Sequence, residues 1–263
     1  MSVLAEGRKT RILTELEREG KVMVAPLAEQ FCVSMETIRR DLQVLERQGY
    51  LRRVYGGAVK SSFRSDEAPY TQRQNMHAAE KKAIGGRAAG LVKDGRTIVI
   101  DGGTTTLEMA QAISGRTGLT ILTGSIPVAS CLLEALSRDL FDGKVIILGG
   151  EASSRQLSVS GILAERMMSG FNIDQAFLSV GGVSLTHGFT DYDLNEASMS
   201  SVFAEAAQEV VVLADHSKFG INTFAPIMPL EKCDVIVSDQ NPPPSWQEFI
   251  KRKKVEWITP GSG

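Results

Sequence analysis

Residues that bind metals or form disulfides are scarce in this chain. Its 263 residues include three cysteines and three histidines, and aromatic residues make up 6% of the total. Cys32, Cys131 and Cys233 are far apart and lie in apolar stretches without a CxxC spacing, so we expect three buried thiols. No apolar run approaches the roughly 18 residues of a membrane span, and no leader peptide opens the chain. These absences predict a cytoplasmic protein that holds no metal and does not span a membrane.

Two nucleotide-binding motifs are missing as well. The chain has neither the GxxxxGK[ST] spacing of P-loop proteins nor the GxGxxG fingerprint of dinucleotide-binding folds, so no ATP, NAD or other cofactor is expected. The formal net charge is only −2, but the charge is unevenly divided. Residues 1–60 hold 11 Lys and Arg against 8 Asp and Glu, whereas the remainder holds 18 against 23. The amino-terminal end is therefore the candidate for binding nucleic acid.

A helix that begins after Ser34 has an apolar stripe and a polar face. Met35, Ile38, Leu42 and Leu45 recur at spacings of three and four, which predicts one buried face. Ser34 is a suitable N-cap. The opposite face carries Glu36, Arg40, Gln43 and Arg47, with Arg39 at its flank. Arg40 is therefore the candidate for contacting base edges and Arg39 for contacting phosphate, unless this is an ordinary solvated face.

The segments on either side favour a DNA-binding interpretation. Residues 8–19 and 26–31 have helical patterns, the second with Pro26 at its first position. A three-residue turn, Cys32-Val33-Ser34, joins the second of these helices to the helix after Ser34. This order predicts a helix-turn-helix, in which the later helix enters the major groove. Residues 50–59 then suggest a two-stranded wing whose Arg52 and Arg53 neutralise phosphates, although a plain surface hairpin is the alternative. The candidate DNA-binding residues are Ser34, Glu36, Thr37, Arg39, Arg40, Gln43, Arg52 and Arg53.

The rest of the chain predicts a second domain with alternating strands and helices. We expect a winged helix-turn-helix domain over residues 1–59, a polar linker over 60–77, an α/β domain over 78–259 and a flexible tail over 260–263. Six apolar runs, most of them separated by helical segments, predict a largely parallel sheet covered on both faces. These runs are residues 97–100, 120–122, 144–148, 176–180, 210–214 and 235–237.

Glycines and small polar residues follow each predicted strand. Since ligands of such sheets bind beyond the carboxyl ends of the strands, this pattern predicts a polar small-molecule pocket. The sharpest loop is Asp101-Gly102-Gly103-Thr104-Thr105-Thr106, ahead of a helix, and it suits a phosphate because backbone N–H groups and hydroxyls converge there. A tight turn that only caps the helix is the alternative. The candidate ligand-binding residues are Asp101, Gly102, Gly103, Thr104, Thr105, Thr123, Ser125, Gly149, Gly150, Asp191 and Lys218.

Other charged residues near these loops have plain structural interpretations. Asp193 and Glu196 are acids in the first turn of a predicted helix, where the helix dipole favours them. His187 and His216 have no evident partner in the sequence, so we expect structural roles for both.

The two halves together resemble the DeoR family of bacterial transcriptional regulators. The amino-terminal residues that match are Leu27-Ala28, Phe31-Cys32-Val33-Ser34, Thr37-Ile38-Arg39-Arg40-Asp41-Leu42, Leu45-Glu46, Gly49 and Tyr55-Gly56-Gly57-Ala58. The matching residues of the second half include Asp101 to Thr106, Gly188-Phe189-Thr190-Asp191 and Ala214-Asp215-His216-Ser217-Lys218-Phe219-Gly220. Two departures are Ala25, where the family often has a capping residue, and Gly124, where it often has Asn.

The resemblance implies a repressor with a sensor domain similar to ribose phosphate isomerase. In that family a phosphorylated sugar binds at the strand ends and lowers affinity for operator DNA. The expected partners are double-stranded operator DNA, a sugar phosphate and at least one further copy of the chain, because helix-turn-helix proteins usually pair on repeated half-sites. The alternatives are a sugar-phosphate isomerase or deaminase with a DNA-binding appendage, which would use Asp191, Asp193 or Glu196 as its base, and a domain that only assembles oligomers.

Overall fold

The structure, a computed structural model, describes residues 3–47, 50–60 and 67–261. The chain divides into two compact units, Met1–Ala68 and Pro69–Gly263. Among the described residues, no helix is both long enough and apolar enough to cross a lipid bilayer.

The first unit is a three-helix domain with a small antiparallel sheet. Its elements are α1 (Val3–Glu19), β1 (Lys21–Met23), α2 (Val24–Gln30), α3 (Met35–Arg47), β2 (Leu51–Val54) and β3 (Gly57–Lys60). The strands pair in the order β1-β3-β2, so the wing has one more strand than the sequence predicts. Ile12 and Leu16 of α1 pack with Ile38, Leu42 and Leu45 of α3, and all five are at most 2% exposed. The predicted helix-turn-helix with a wing is therefore present.

Three details of this unit differ from the sequence prediction. Helix α2 begins at Val24, so Pro26 is its third residue; the position is tolerated because the first N–H groups of a helix have no partner within it. Met35 is 51% exposed, because it begins α3 and projects beyond the core that Ile38 enters. Cys32 is exposed and has a φ of +52° in the turn before α3, so it is not a buried thiol.

The second unit contains most of the secondary structure. Its elements are α4 (Tyr70–Arg73), α5 (Ala78–Ala89), β4 (Thr97–Ile100), α6 (Thr104–Ala112), β5 (Leu119–Thr123), α7 (Ile126–Ser137), β6 (Gly143–Ile147), β7 (Glu151–Ser153), β8 (Ser158–Ser160), α8 (Ile162–Met168), β9 (Ile173–Ser179), β10 (Gly182–Ser184), β11 (Gly188–Asp191), α9 (Leu194–Ala206), β12 (Ala207–Leu213), β13 (Ala225–Met228), β14 (Val235–Val237), α10 (Gln247–Lys253) and β15 (Glu256–Ile258).

The second part of the predicted linker is folded. Residues 61–66 lie outside the described residues, but Tyr70 begins α4 and is 1% exposed within an apolar cluster of the second unit. The polar composition of residues 71–77 conceals this single buried aromatic side chain, so the sequence alone suggests a linker. Of the predicted tail, residues 260 and 261 form an exposed turn, and Ser262 and Gly263 lie outside the described residues.

All six predicted strands pair in one sheet. Its order is β15-β14-β12-β9-β4-β5-β6, and every pairing in it is parallel. The seventh strand, β15, was not predicted because its sequence, Glu256-Trp257-Ile258, is not a continuous apolar run. Alternate residues of a strand face opposite sides, so Val99 enters one apolar cluster while Ile98 and Ile100 enter the other. Both faces are therefore covered, as the near-continuous apolar runs predict.

Two antiparallel additions flank the carboxyl ends of the main strands, and neither was predicted. Strands β7 and β8 form a hairpin, and β10, β11 and β13 form a small sheet. The hairpin crosses the end of β5, where the N–H of Val159 donates to the carbonyl of Gly124 at 2.7 Å. It therefore partly encloses the edge where the sequence predicts a ligand.

Candidate functional site

The helix α3 starts at a well-formed cap. The Ser34 hydroxyl oxygen accepts a hydrogen bond from the Thr37 N–H at 3.1 Å, and the two hydroxyl oxygens are 2.9 Å apart. Ser34 therefore satisfies one of the unpaired N–H groups at the start of the helix. The Arg8 guanidinium holds the buried Asp41 carboxylate of α3 at 2.5 Å, which ties α1 to α3. Sequence reasoning missed this contact.

The polar face of α3 is open to solvent over its first two turns. Arg40, Glu36 and Arg39 have side chains 79%, 62% and 58% exposed. The Glu36 carboxylate lies 3.6 Å from Arg39 and 3.8 Å from Arg40, which are loose, exposed ion pairs of small energy. Gln43, further along the same face, is half-buried. Both guanidinium groups are therefore accessible to a partner with stronger negative charge.

The wing is attached to α3 through an arginine. The Arg53 backbone N–H and Nε donate to the two carboxylate oxygens of Glu46 at 2.7 and 2.8 Å. Burial raises the pKa of Glu46, but these two donors and the guanidinium charge hold it below its ordinary value. Arg53 therefore helps to fix the wing, while Tyr55 at the turn of the wing is fully exposed. Arg52 lies in β2, and its side chain is outside what the structure describes.

In the second unit, the loop after β4 leads directly into helix α6. Gly103 is the N-cap of α6 and Thr104, Thr105 and Thr106 form its first turn, each at most 6% exposed. A Cβ at Gly103 would lie 2.3 Å from the Ser179 hydroxyl oxygen, so only glycine fits there. The first turn of α6 is therefore buried behind a closely packed backbone, and the Thr106 hydroxyl donates to the Gly103 carbonyl at 3.1 Å.

Asp101 is the buried acid of this loop. Its carboxylate accepts hydrogen bonds from the Ser200 hydroxyl and the Gly102 N–H, both at 2.7 Å. Burial, together with the negative charges of Glu196 and Asp191, raises the pKa of Asp101 to about 8. The carboxyl group is therefore mostly protonated at neutral pH, which would allow it to donate as well as accept a hydrogen bond.

Two further acids lie around the same loop. A Cβ on Gly102 would sit 3.4 Å from a Glu196 carboxylate oxygen, and the other Glu196 oxygen accepts from the Ser158 hydroxyl at 2.6 Å. Asp191 ends β11 and accepts from the Tyr192 N–H at 2.6 Å. Asp193 is the N-cap of α9, accepting from the Asn195 and Glu196 N–H groups, so the structural interpretation of Asp193 is confirmed.

Other candidate residues serve the hairpin and the neighbouring helix. The Thr123 hydroxyl accepts from the Ser125 N–H at 3.0 Å, and the Ser125 hydroxyl caps α7; both residues are at most 1% exposed. Gly149 and Gly150 are exposed, and a Cβ at Gly150 would lie 2.4 Å from the Ser160 carbonyl oxygen. A Cβ at Gly124 would similarly lie 2.6 Å from the Val159 carbonyl oxygen, so the family's common Asn does not fit this backbone.

Lys218 lies in a short 3-10 turn that follows β12. The residue is half-buried, and the turn lies beside β10, to which it is joined by the Gly220 N–H donating to the Val183 carbonyl at 2.8 Å. Strand β10 also pairs with β11, which carries Asp191. Burial alone would raise the pKa of Asp215, but the Lys218 charge and the Ser217 hydrogen bonds lower it. Lys218 therefore lies in a turn beside the small sheet that contains Asp191.

His216 has a partner that sequence reasoning missed. Its Nδ1 lies 2.6 Å from an Asp239 carboxylate oxygen, and its ring meets the His77 ring edge-on with centroids 5.3 Å apart. Asp239 follows β14, the neighbour of β12, so the two residues share the carboxyl edge of the sheet. The described residues contain no group of three or more His, Cys, Asp and Glu side chains placed to hold a metal ion.

Family models match most of the chain. A DeoR-like helix-turn-helix domain matches residues 8–62, and a DeoR C terminal sensor domain matches residues 76–240.

Two relatives that align with this chain over about nine tenths of their length are named as repressors. The transcriptional repressor AccR of Agrobacterium fabrum is 34% identical over 237 residues, covering 89% of each chain. The glycerol-3-phosphate regulon repressor of Escherichia coli K12 is 31% identical over 243 residues, covering 92% of this chain and 94% of the relative. Among solved structures, ribose 5-phosphate isomerase from Plasmodium falciparum aligns with a TM-score of 0.37 at 15% identity, covering 54% of this chain and 53% of the isomerase.

Proposed function

The chain belongs to the DeoR family of transcriptional regulators, and we propose that it represses a carbohydrate catabolism operon and leaves its operator when a phosphorylated sugar binds the second unit. The observation that carries the proposal is the loop of residues 101–105 at the N-terminus of α6, because a helix N-terminus with free N–H groups favours a phosphate. The name of the glycerol-3-phosphate regulon repressor is consistent with a phosphorylated metabolite.

The proposed DNA contacts come from the exposed first turns of α3 and from the wing. Arg40 contacts base edges in the major groove and Arg39 contacts phosphate, because Arg40 is the more exposed and lies opposite the buried stripe. Glu36, Thr37, Gln43, Ser34 and Arg52 complete the face. Arg53 contributes a positive charge to the wing while it stays paired with Glu46. A phosphate dianion competes well for the loosely paired Arg39 because charge-assisted contacts with phosphate are strong.

The proposed effector site centres on Asp101, Gly102, Gly103, Thr104 and Thr105. Protonated Asp101 adds no negative charge opposite the phosphate, and Asp191 accepts hydrogen bonds from the sugar hydroxyls. Lys218 supplies the positive charge for the phosphate. Ser125 bridges to Ser158 of β8 and Gly150 packs on the Ser160 carbonyl oxygen, so both support the β7–β8 hairpin that bounds the proposed site. Thr123 positions Ser125 through its hydroxyl, and Gly149 is exposed next to Gly150.

The regulation follows from linkage between the two ligands. An effector lowers operator affinity only if it prefers the arrangement of the protein that binds DNA poorly. A coupling free energy of about 1–3 kcal/mol changes operator affinity by roughly 5- to 150-fold, which is enough for a switch. The functional form is a cytoplasmic homo-oligomer of two or more chains, since paired recognition helices read repeated half-sites.

The test is fluorescence anisotropy with labelled DNA from upstream of the protein's own gene cluster, beside scrambled DNA, at near-physiological salt. The panel contains glycerol 3-phosphate, ribose 5-phosphate, glucosamine 6-phosphate and tagatose 6-phosphate, with inorganic phosphate as control. Selective binding that one sugar phosphate releases is the expected result. Equal affinity for scrambled DNA, or no release by any compound, contradicts the proposal. Turnover of any panel compound would favour the alternative of an isomerase or deaminase.

A further inference from the structure

A short segment at the start of the second unit is bonded directly to the candidate effector loop. We call residues 69–73 the strap. The Tyr70 side chain is 1% exposed, and its hydroxyl donates to the Gly103 carbonyl at 3.4 Å. Burial raises the pKa of Tyr70 to about 12, so the hydroxyl keeps its proton and remains a donor. The Tyr70 backbone N–H donates to the Arg155 carbonyl at 3.1 Å, which adds a contact with the hairpin turn.

The other end of the strap, at Arg73, makes two further hydrogen bonds. The Arg73 guanidinium donates to the side-chain oxygen of Gln156, which is 8% exposed in the hairpin turn. The Lys81 ammonium group, 5% exposed on α5, donates to the Arg73 carbonyl at 2.6 Å. The strap is therefore fixed to the effector loop, to the hairpin and to α5 within five residues.

The hairpin is also hydrogen-bonded to a residue that lies beside the loop. Ser158, at the start of β8, donates to Glu196, whose second carboxylate oxygen lies beside Gly102. The Gly103 carbonyl that Tyr70 contacts also accepts from the Thr106 hydroxyl at 3.1 Å and the Leu107 N–H at 3.2 Å. A ligand bound to the first N–H groups of α6 would contact Thr104, the residue next to Gly103. A shift of the loop on binding would therefore move the Gly103 carbonyl relative to the Tyr70 hydroxyl.

We propose that the strap couples the effector site to operator binding, with Tyr70 as the positioning residue that joins it to Gly103. This inference rests on the function proposed above. The first unit ends at Ala68 and the second begins at Pro69, so the chain that connects the two units enters the second unit at the strap. Pro69, with a φ of −52°, stiffens that entry. An effector that favours a different loop position alters the attachment of this connection, and the two binding equilibria become linked.

The test uses Tyr70→Phe, which removes one hydroxyl and keeps the buried ring. Gln72→Ala changes an exposed side chain of the same helix and is the matched control. Operator affinity is measured by anisotropy with and without the panel compound that releases the unmodified protein, and affinity for that compound is measured by calorimetry. Loss of the Tyr70 hydrogen bond should reduce the effector-induced change in operator affinity by about 2- to 3-fold, the low end for a hydrogen bond, because the 3.4 Å contact is long. Both separate affinities should stay within about twofold of the unmodified values, as expected for a residue that acts on coupling alone.

Each outcome separates the two proposals. If Tyr70→Phe responds to the effector as fully as Gln72→Ala and the unmodified protein, the strap proposal is wrong and the proposed function stands. If Tyr70→Phe no longer binds the compound, Tyr70 supports the site itself and coupling through the strap is again wrong. If the unmodified protein responds to no panel compound, the proposed function fails and the strap proposal fails with it.

Discussion

The raised pKa of Asp101 predicts how the free energy of unfolding changes with pH. The pKa of Asp101 is raised from 3.8 to about 8 in the folded protein by burial and by the charges of Glu196 and Asp191. Between these two pKa values the folded state keeps a proton that the unfolded state loses. Stability contributed by this group is therefore complete below about pH 4 and is lost as pH rises towards 8, with a limiting slope of about 1.4 kcal/mol per pH unit.

Asp101→Asn removes the titration and keeps the shape of the side chain. The Asn oxygen still accepts from Ser200 or from the Gly102 N–H, but its NH₂ group cannot accept the second bond, which costs about 1 kcal/mol at all pH values. Relative to the unmodified protein, the variant should gain up to about 4 kcal/mol in free energy of unfolding between pH 5 and pH 8. Urea denaturation at half-unit pH steps measures this difference, and the contributions of other groups cancel in the comparison.

The matched control is Asp174→Asn. The Thr97 N–H and the Arg96 guanidinium lower the pKa of Asp174, so its contribution is present above the unfolded pKa and is lost only at acidic pH. The difference between this variant and the unmodified protein should be constant from pH 5 to pH 8. A constant difference for Asp101→Asn over the same range would show that Asp101 is ionised in the folded protein and would refute the reasoning.

The remaining predictions concern DNA binding, induction and helix capping. Arg40→Ala should weaken operator binding by about 1–3 kcal/mol and relax base preference at one position, whereas an equal loss on scrambled DNA would assign Arg40 to phosphate. Lys218→Ala and Thr105→Ala should leave operator affinity unchanged and abolish release by the effector in the anisotropy assay; normal release in both variants would remove these residues from the site. Ser34→Ala should lower the unfolding free energy of the first unit by about 1 kcal/mol through loss of its bond from Thr37, and unchanged urea denaturation would contradict the cap.

Periodicity predicts elements well where many residues repeat one pattern. The stripe of Ile38, Leu42 and Leu45 identifies α3, and the six apolar runs identify six strands of the parallel sheet. It fails for β15, which begins with Glu256, and for the β7–β8 hairpin, which has no apolar run and contacts the distant Gly124. Met35 follows the helical period but is exposed, because the period assigns a face and does not show where the core ends.

The candidate site was predicted only in part for the same reason. Residues 101–105 are recognisable because the loop and the helix N-terminus are adjacent in sequence. The Ser200 partner of Asp101 is 99 residues away, and the Asp239 partner of His216 is 23 residues away in the loop after the neighbouring strand β14. Neither pairing leaves a local pattern, so sequence reasoning could not assign the protonated state of Asp101 or the partner of His216.

The sequence by itself determines the helix-turn-helix, six strands of the parallel sheet, the family and the polar loops at the strand ends, because these depend on local spacing and on motifs. Only the tertiary structure decides which of those loops holds buried polar groups and which merely caps a helix, since burial and electrostatic environment arise from residues far apart in the chain. Tyr70 illustrates the difference: it lies in a stretch with the composition of a linker, yet folding places its hydroxyl on the Gly103 carbonyl.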